Sequence, residues 1–198
     1  MAYEHCNRRG DAYLLQARKT RTGKPRYYFG RKLTGEPVEK VPTGYEVFES
    51  PERGQLFLRK ERRTCIEPID REIVVEGIRH LSRVEHFIVD VTEDCLVVYL
   101  PTMHVNEVNA LARMLAGPNA LEVPHFRNGR DQFMRELKYE KVMRFEFMYA
   151  DPRQFLVERW WSRGSRESWM YLAGPAPLSD LVDRYAEHLG EESFYSLF

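Results

Sequence analysis

The stretch KVMRFEFMYADPRQFLVERWWSRGSRESWMYLAG, residues 141–174, decides the fold class because it contains three strand-like segments in succession. The segments, residues 141–150, 155–163 and 168–174, are rich in aromatic and β-branched side chains, which are typical of strands. DPRQ and GSRE separate them, and connections this short join antiparallel neighbours. The sequence therefore predicts a three-strand meander.

Helices and another hairpin surround the meander. EHFIVDVTEDCLVVYLP, residues 85–101, predicts a hairpin that turns near residues 93 and 94. The segment REIVVEGIRHLS, residues 71–82, fits either an amphipathic helix or a strand, and the helix is the favoured interpretation. The remaining apolar periodicities predict helices over residues 105–117, 130–140 and 177–190.

The first 63 residues have strand patterning throughout. DAYLLQARKT and RYYFGRKL flank the turn sequence TRTGKP, and YEVFE and QLFLRK flank SPERG. The two predicted hairpins form a small four-strand β unit. The whole chain is therefore expected to be an α+β protein rich in antiparallel strands. The small N-terminal β unit precedes a larger α+β domain that contains the meander and a C-terminal helix.

Charge divides the chain at the same point, although the formal net charge of the whole chain is zero. Residues 1–63 contain 15 Lys and Arg against 8 Asp and Glu, whereas residues 64–198 contain 15 against 22. The basic run RKERR closes the first part. We therefore predict two domains, a basic β-hairpin unit over residues 1–63 and an acidic α+β domain over residues 64–198.

The first predicted hairpin carries the main indication of function. Strand alternation places Arg26, Tyr28, Gly30 and Lys32 on one face and Tyr27, Phe29, Arg31 and Leu33 on the other. Cations neutralise phosphates, and a tyrosine ring gives an exposed base a surface on which to stack. The pattern predicts a non-enzymatic binding protein whose N-terminal unit contacts a nucleic-acid backbone through Arg18, Lys19, Arg21, Lys24, Arg26, Tyr28, Arg31 and Lys32.

Two other interpretations of the same cations stay open. Lys and Arg commonly protect an exposed sheet edge from aggregation, and nearby acids weaken the field of this hairpin: Glu36, Glu39, Glu46, Glu49 and Glu52. Alternatively, the chain is a protein-interaction or self-assembly module. Its basic unit then meets an acidic protein surface, such as the acidic half of another copy.

An enzyme has weaker support in the sequence. A site around His86, Asp90 and His104 is the third hypothesis, but four residues of strand would hold His86 and Asp90 roughly 13 Å apart. The sequence contains no HExxH, GxxxxGK[ST], GxGxxG or GxSxG motif. We therefore assign no catalytic residue, metal ligand or cofactor.

The sequence also predicts the compartment. MAYEHCNRRGDAY has no apolar segment of the kind that a secretory signal contains, and CLVVYLP is far shorter than the roughly 20 residues of a membrane span. The three cysteines are widely spaced and form no CxxC pair. These features predict a cytoplasmic protein that does not enter a membrane.

Overall fold

The computed structural model describes residues 1–103, 105–163 and 165–197. In chain order its strands are β1 (Glu4–Cys6), β2 (Ala12–Lys19), β3 (Pro25–Gly30), β4 (Glu36–Pro37), β5 (Tyr45–Glu49), β6 (Leu56–Lys60), β7 (Ile88–Thr92), β8 (Cys95–Pro101), β9 (Tyr139–Ala150), β10 (Arg153–Arg163) and β11 (Arg166–Ala176). Its α-helices are α1 (Pro68–Leu81), α2 (Val105–Ala116), α3 (Pro124–Glu136) and α4 (Leu178–Tyr185). Sheets and helices of this kind confirm the predicted α+β class.

The chain divides into two structural units. The first contains Met1–Arg62 and Met103–Lys138, and the second contains Arg63–Thr102 and Tyr139–Phe198. The first unit holds 19 Lys and Arg against 12 Asp and Glu, and the second holds 11 against 18. The charge asymmetry that the sequence shows between its halves is therefore also an asymmetry between the two units.

The first unit contains two antiparallel sheets. β1, β2 and β3 lie in this order, and β4 pairs with β2 beside β1. β5 and β6 form a separate two-stranded sheet. Both predicted hairpins are present, and β1 and β4 are short strands that the local pattern did not predict.

The second unit is built on a five-stranded antiparallel sheet with the order β11–β10–β9–β8–β7. The predicted meander is confirmed as β9 to β11, and the hairpin at residues 85–101 is confirmed as β7 and β8. Side chains from one face of the sheet form a core with α1 and α4. The largest buried members include Leu96, Met143, Phe145, Phe155 and Ile78.

Two predicted helices have different bounds in the structure. α1 begins at Pro68, three residues before the expected start, because proline suits the first turn of a helix. Asp70 in that turn is buried, accepts a hydrogen bond from the backbone of Glu67 and pairs with Arg153 at the start of β10. The helix predicted over residues 130–140 is instead α3, which begins at Pro124 and ends at Glu136.

α1 and α4 pack closely at Gly77. A Cβ atom at this position would lie 2.1 Å from Cγ1 of Val182, whose side chain is buried in α4. The absence of a side chain at Gly77 is thus what allows the two helices to approach. Among the described residues, no helix combines the length and the apolar composition that crossing a membrane requires.

We expect Gly77→Ala to destabilise the second unit. Alanine favours a helix over glycine by about 1 kcal/mol, but overpacking a buried contact costs about 1–3 kcal/mol. Because the added Cβ would lie only 2.1 Å from Cγ1 of Val182, the overpacking cost should be near the upper end of that range. The net loss, about 2 kcal/mol, should appear in urea unfolding followed by circular dichroism. Gly129→Ala in α3 is the matched control, because no atom lies within 4 Å of its added Cβ. A Gly77→Ala protein as stable as wild type would contradict the close approach.

Candidate nucleic-acid interface

The basic hairpin consists of β2, β3, the turn between them and the two residues that follow β3, Arg31 and Lys32. The strands pair from Leu14 opposite Gly30 to Lys19 opposite Pro25. In the turn, Thr20 donates two hydrogen bonds to the carbonyl oxygen of Lys24, one from its backbone nitrogen and one from Oγ1, each at 2.9 Å. Gly23 adopts a φ of 77°, which glycine tolerates best. The turn presents Arg21 and Lys24 to solvent.

The two faces of β3 have different surroundings, as strand alternation predicts. On one face, the Tyr27 ring lies edge-on to the Tyr45 ring with centroids 5.7 Å apart. On the same face, the Phe29 and Tyr3 rings are 6.5 Å apart. The other face carries Tyr28, which pairs across the strands with Gln16. Tyr27 and Phe29 therefore attach the hairpin to the rest of its unit.

Gln16 holds the chain that follows β3. Its side chain is fully buried, and its Nε2 donates to the carbonyl oxygen of Lys32 at 2.8 Å. Its Oε1 accepts hydrogen bonds from the backbone nitrogens of Thr34 and Gly35, both at 2.8 Å. One amide thus satisfies three backbone groups of residues 32–35 and fixes the position from which Lys32 projects.

Tyr28 is only partly available to a ligand. It is half-buried, and its hydroxyl lies 3.5 Å from Oγ1 of Thr34. A Cβ atom at Gly35 would lie 2.6 Å from that hydroxyl and 2.7 Å from the carbonyl oxygen of Ala17. The segment after β3 therefore covers the hydroxyl end of the ring, and Tyr28 is not an open platform for stacking.

All seven cations of the hairpin are exposed. Arg31 pairs with Asp11 at 2.6 Å and lies over the Tyr13 ring. A hydrogen bond with Tyr13, followed by the attraction of Asp11, raises the pKa of Arg31. In the part of the chain that the structure describes, the other six contact no carboxylate at ion-pair distance: Arg18, Lys19, Arg21, Lys24, Arg26 and Lys32.

The acidic residues that weaken the field of the hairpin have partners elsewhere. Glu39 pairs with the N-terminal amine at 2.8 Å, and this hydrogen bond lowers the pKa of Glu39. Glu46 pairs with Arg59 at 2.7 Å, and Glu49 pairs with Arg8 at 3.2 Å. Glu36 lies within β4, opposite Ala17. Three of the five nearby carboxylates are thus compensated by cations outside the hairpin.

A cavity of about 560 Å³ lies beside the hairpin, between β3 and β6. Consecutive residues of both strands line it, Pro25–Phe29 and Gln55–Leu58, so the cavity is bounded by the edges of the two strands. Tyr45 from β5 also contributes to the wall. No local pattern in the sequence indicates this cavity, because its walls come from two hairpins that are separate in the chain.

The residues of the hypothetical enzyme site lie in the second unit or outside the described residues. His86 is exposed and lines a cleft of about 700 Å³ together with Arg71, Arg79 and Arg83. Asp90 does not line this cleft and accepts a hydrogen bond from Thr92 within its own strand. His104 lies outside the described residues. Within the described ranges, no three His, Cys, Asp or Glu side chains are grouped so as to hold a metal ion.

We expect Gln16→Leu to destabilise the hairpin by about 2 kcal/mol, because partly buried backbone groups at Lys32, Thr34 and Gly35 would lose their partner. Guanidinium unfolding measures this change. Gln132→Leu is the control, since Gln132 is exposed in α3 and its only described contact is a 3.3 Å hydrogen bond to Glu136. Equal stabilities of the two variants would show that the amide does not hold residues 32–35.

No protein-family model, curated protein or solved structure matches this chain. Its function is therefore inferred from the chemistry of the residues described above.

Proposed function

We propose that this chain is a non-enzymatic nucleic-acid-binding protein whose basic hairpin contacts the phosphate backbone. The observation that carries the proposal is the group of six exposed cations without a carboxylate partner among the described residues. Each such cation is available to neutralise a phosphate and release a condensed counterion. The hairpin residues of the proposed contact are Arg18, Lys19, Arg21, Lys24, Arg26, Tyr28, Arg31 and Lys32.

Two explanations of the hairpin cations can be compared: a bound ligand, and protection of the sheet edge from aggregation. The positions of the nearby acidic residues support the ligand. Charged side chains on the edge strand itself, prolines or bulges protect a sheet edge. Here the cations continue around the turn, while the nearby Glu39, Glu46 and Glu49 have partners elsewhere. Of the nearby acids, Asp11, Glu36 and Glu52 remain to offset the seven cations of the hairpin, and this excess of positive charge favours a polyanion.

The cysteines support a cytoplasmic location as part of this proposal. Cys6 and Cys65 are exposed, Cys95 is half-buried, and all three are free. Burial raises the pKa of the Cys95 thiol to about 11, so this thiol stays protonated at neutral pH. Free exposed thiols suit a reducing compartment.

The proposal predicts salt-dependent binding of oligonucleotides. Fluorescence anisotropy across a salt series should give an affinity that falls linearly with the logarithm of the salt concentration. Neutralising Arg26 and Lys32 together, as Arg26→Gln with Lys32→Gln, should reduce the magnitude of the slope by about two.

Arg113→Gln with Arg135→Gln is the control for that experiment. It removes the same charge from exposed positions of α2 and α3 in the same unit. The control should keep the wild-type slope. Absence of binding to single and double strands at low salt, or equal slopes for both double variants, would contradict the proposal.

A second candidate function is self-assembly, and the opposite charges of the two units favour it. The first unit has an excess of seven cations and the second an excess of seven acids. If the basic unit of one copy binds the acidic unit of another, the average mass in light scattering should rise with concentration at low salt. It should then fall to the monomer mass at about 1 M salt, where the screening length is near 3 Å. A monomer mass at every concentration would exclude this candidate.

A further inference from the structure

We propose that the cavity between β3 and β6 receives an unpaired nucleobase, so that the ligand of the hairpin is a single-stranded nucleic acid. This inference rests on the proposed function, because the phosphate contacts of the hairpin bring the strand to the cavity. It adds a second recognition element, the base, and it excludes a duplex as the preferred ligand.

The walls of the cavity have the chemistry that base binding requires. Tyr27, Tyr45 and Phe57 all contribute to its lining. Phe57 is 44% exposed, and Tyr27 and Tyr45 are half-buried. Single-strand-binding proteins use such aromatic residues for stacking, because every base has a flat π face. The volume of about 560 Å³ also lies within the range of small-molecule sites.

The strand edges supply polar groups beside the rings. β3 pairs only with β2, and β6 pairs only with β5, among the described strands. The backbone N–H and C=O groups on their outer edges are therefore outside a sheet ladder, and consecutive residues of both edges line the cavity. Unpaired bases carry hydrogen-bond donors and acceptors on their own edges, which such backbone groups can meet.

Cations of the hairpin adjoin the cavity. Thr20, Pro25 and Arg26 line the cavity, and Arg21 and Lys24 lie in the turn between them. A base and its phosphate are covalent neighbours, so a site that holds both must place rings and cations side by side. In a duplex the bases are stacked and paired, and only a single strand can direct a base into the cavity while its phosphates meet the turn.

The experiment compares three labelled ligands with the full chain: an oligothymidylate of about 10 nucleotides, an abasic oligomer of the same length and a duplex. The abasic oligomer has the same phosphate charge but no bases. Wild type should bind the oligothymidylate about tenfold more tightly than the abasic oligomer and more tightly than the duplex, at the same salt concentration.

Two variants test whether the preference for the oligothymidylate over the abasic oligomer arises at the cavity. Tyr45→Leu and Phe57→Leu should each weaken binding of the oligothymidylate about fivefold and leave its salt slope and the binding of the abasic oligomer unchanged. Phe133→Leu is the matched control, because Phe133 is 41% exposed but lies in α3, outside the cavity. Tyr45→Phe, which keeps the ring, should restore the preference.

The outcomes separate this inference from the proposed function. If wild type binds the oligothymidylate, the abasic oligomer and the duplex equally well, the base site is wrong and the phosphate contact stands. If the preference for bases survives in both leucine variants, the cavity is not the base site. If no ligand binds at low salt, the proposed function fails and this inference fails with it.

Discussion

The basic hairpin depends on one buried amide. Gln16 has no exposed surface, and its side chain satisfies three backbone groups between Lys32 and Gly35. These groups are partly buried, so water would replace the lost hydrogen bonds only in part, and the amide favours the observed path of the chain. That path returns the chain along β2, where β4 pairs with Gln16 and Ala17. It also confines the hydroxyl end of Tyr28, so a single internal contact determines how much of the hairpin is open to a ligand.

The cations of the hairpin repel one another, and the surrounding acidic residues offset only part of this repulsion. A surface arranged for stability alone has charges of both signs interspersed. Three carboxylates near this hairpin form ion pairs with other groups, namely Arg8, Arg59 and the N-terminal amine. They are therefore not paired with the cations of the hairpin. Water and salt reduce the repulsion among the cations that remain, but a bound polyanion reduces it further. Under the proposed function, the ligand is what offsets this repulsion.

The hairpins, the meander and the faces of β3 could be predicted because they depend on local patterns. Alternation in RYYFGRKL correctly separates Tyr28 from Tyr27 and Phe29, since neighbouring strand residues face opposite ways. The role of Gln16 could not be predicted, because its partners lie 16 to 19 residues along the chain. The aromatic cavity depends on Tyr45 and Phe57 reaching β3 from another hairpin, which no local pattern encodes. A polar residue in the middle of the apolar run AYLLQARK was the one available signal for the buried amide.

The structure changes where a stacking surface is to be sought. The sequence suggested the ring of Tyr28, on the same face as Arg26 and Lys32, but residues 34 and 35 cover part of that ring. Further aromatic residues line the cavity at the edge of β3 together with Tyr28: Tyr27, Phe29, Tyr45 and Phe57. In the proposed complex, one ligand contacts both the cations of the turn and the rings that line the cavity. Duplex DNA has a persistence length of about 50 nm and resists sharp bending, whereas a single strand turns freely between adjacent nucleotides. The proposed ligand is therefore a flexible polyanion rather than a stiff one.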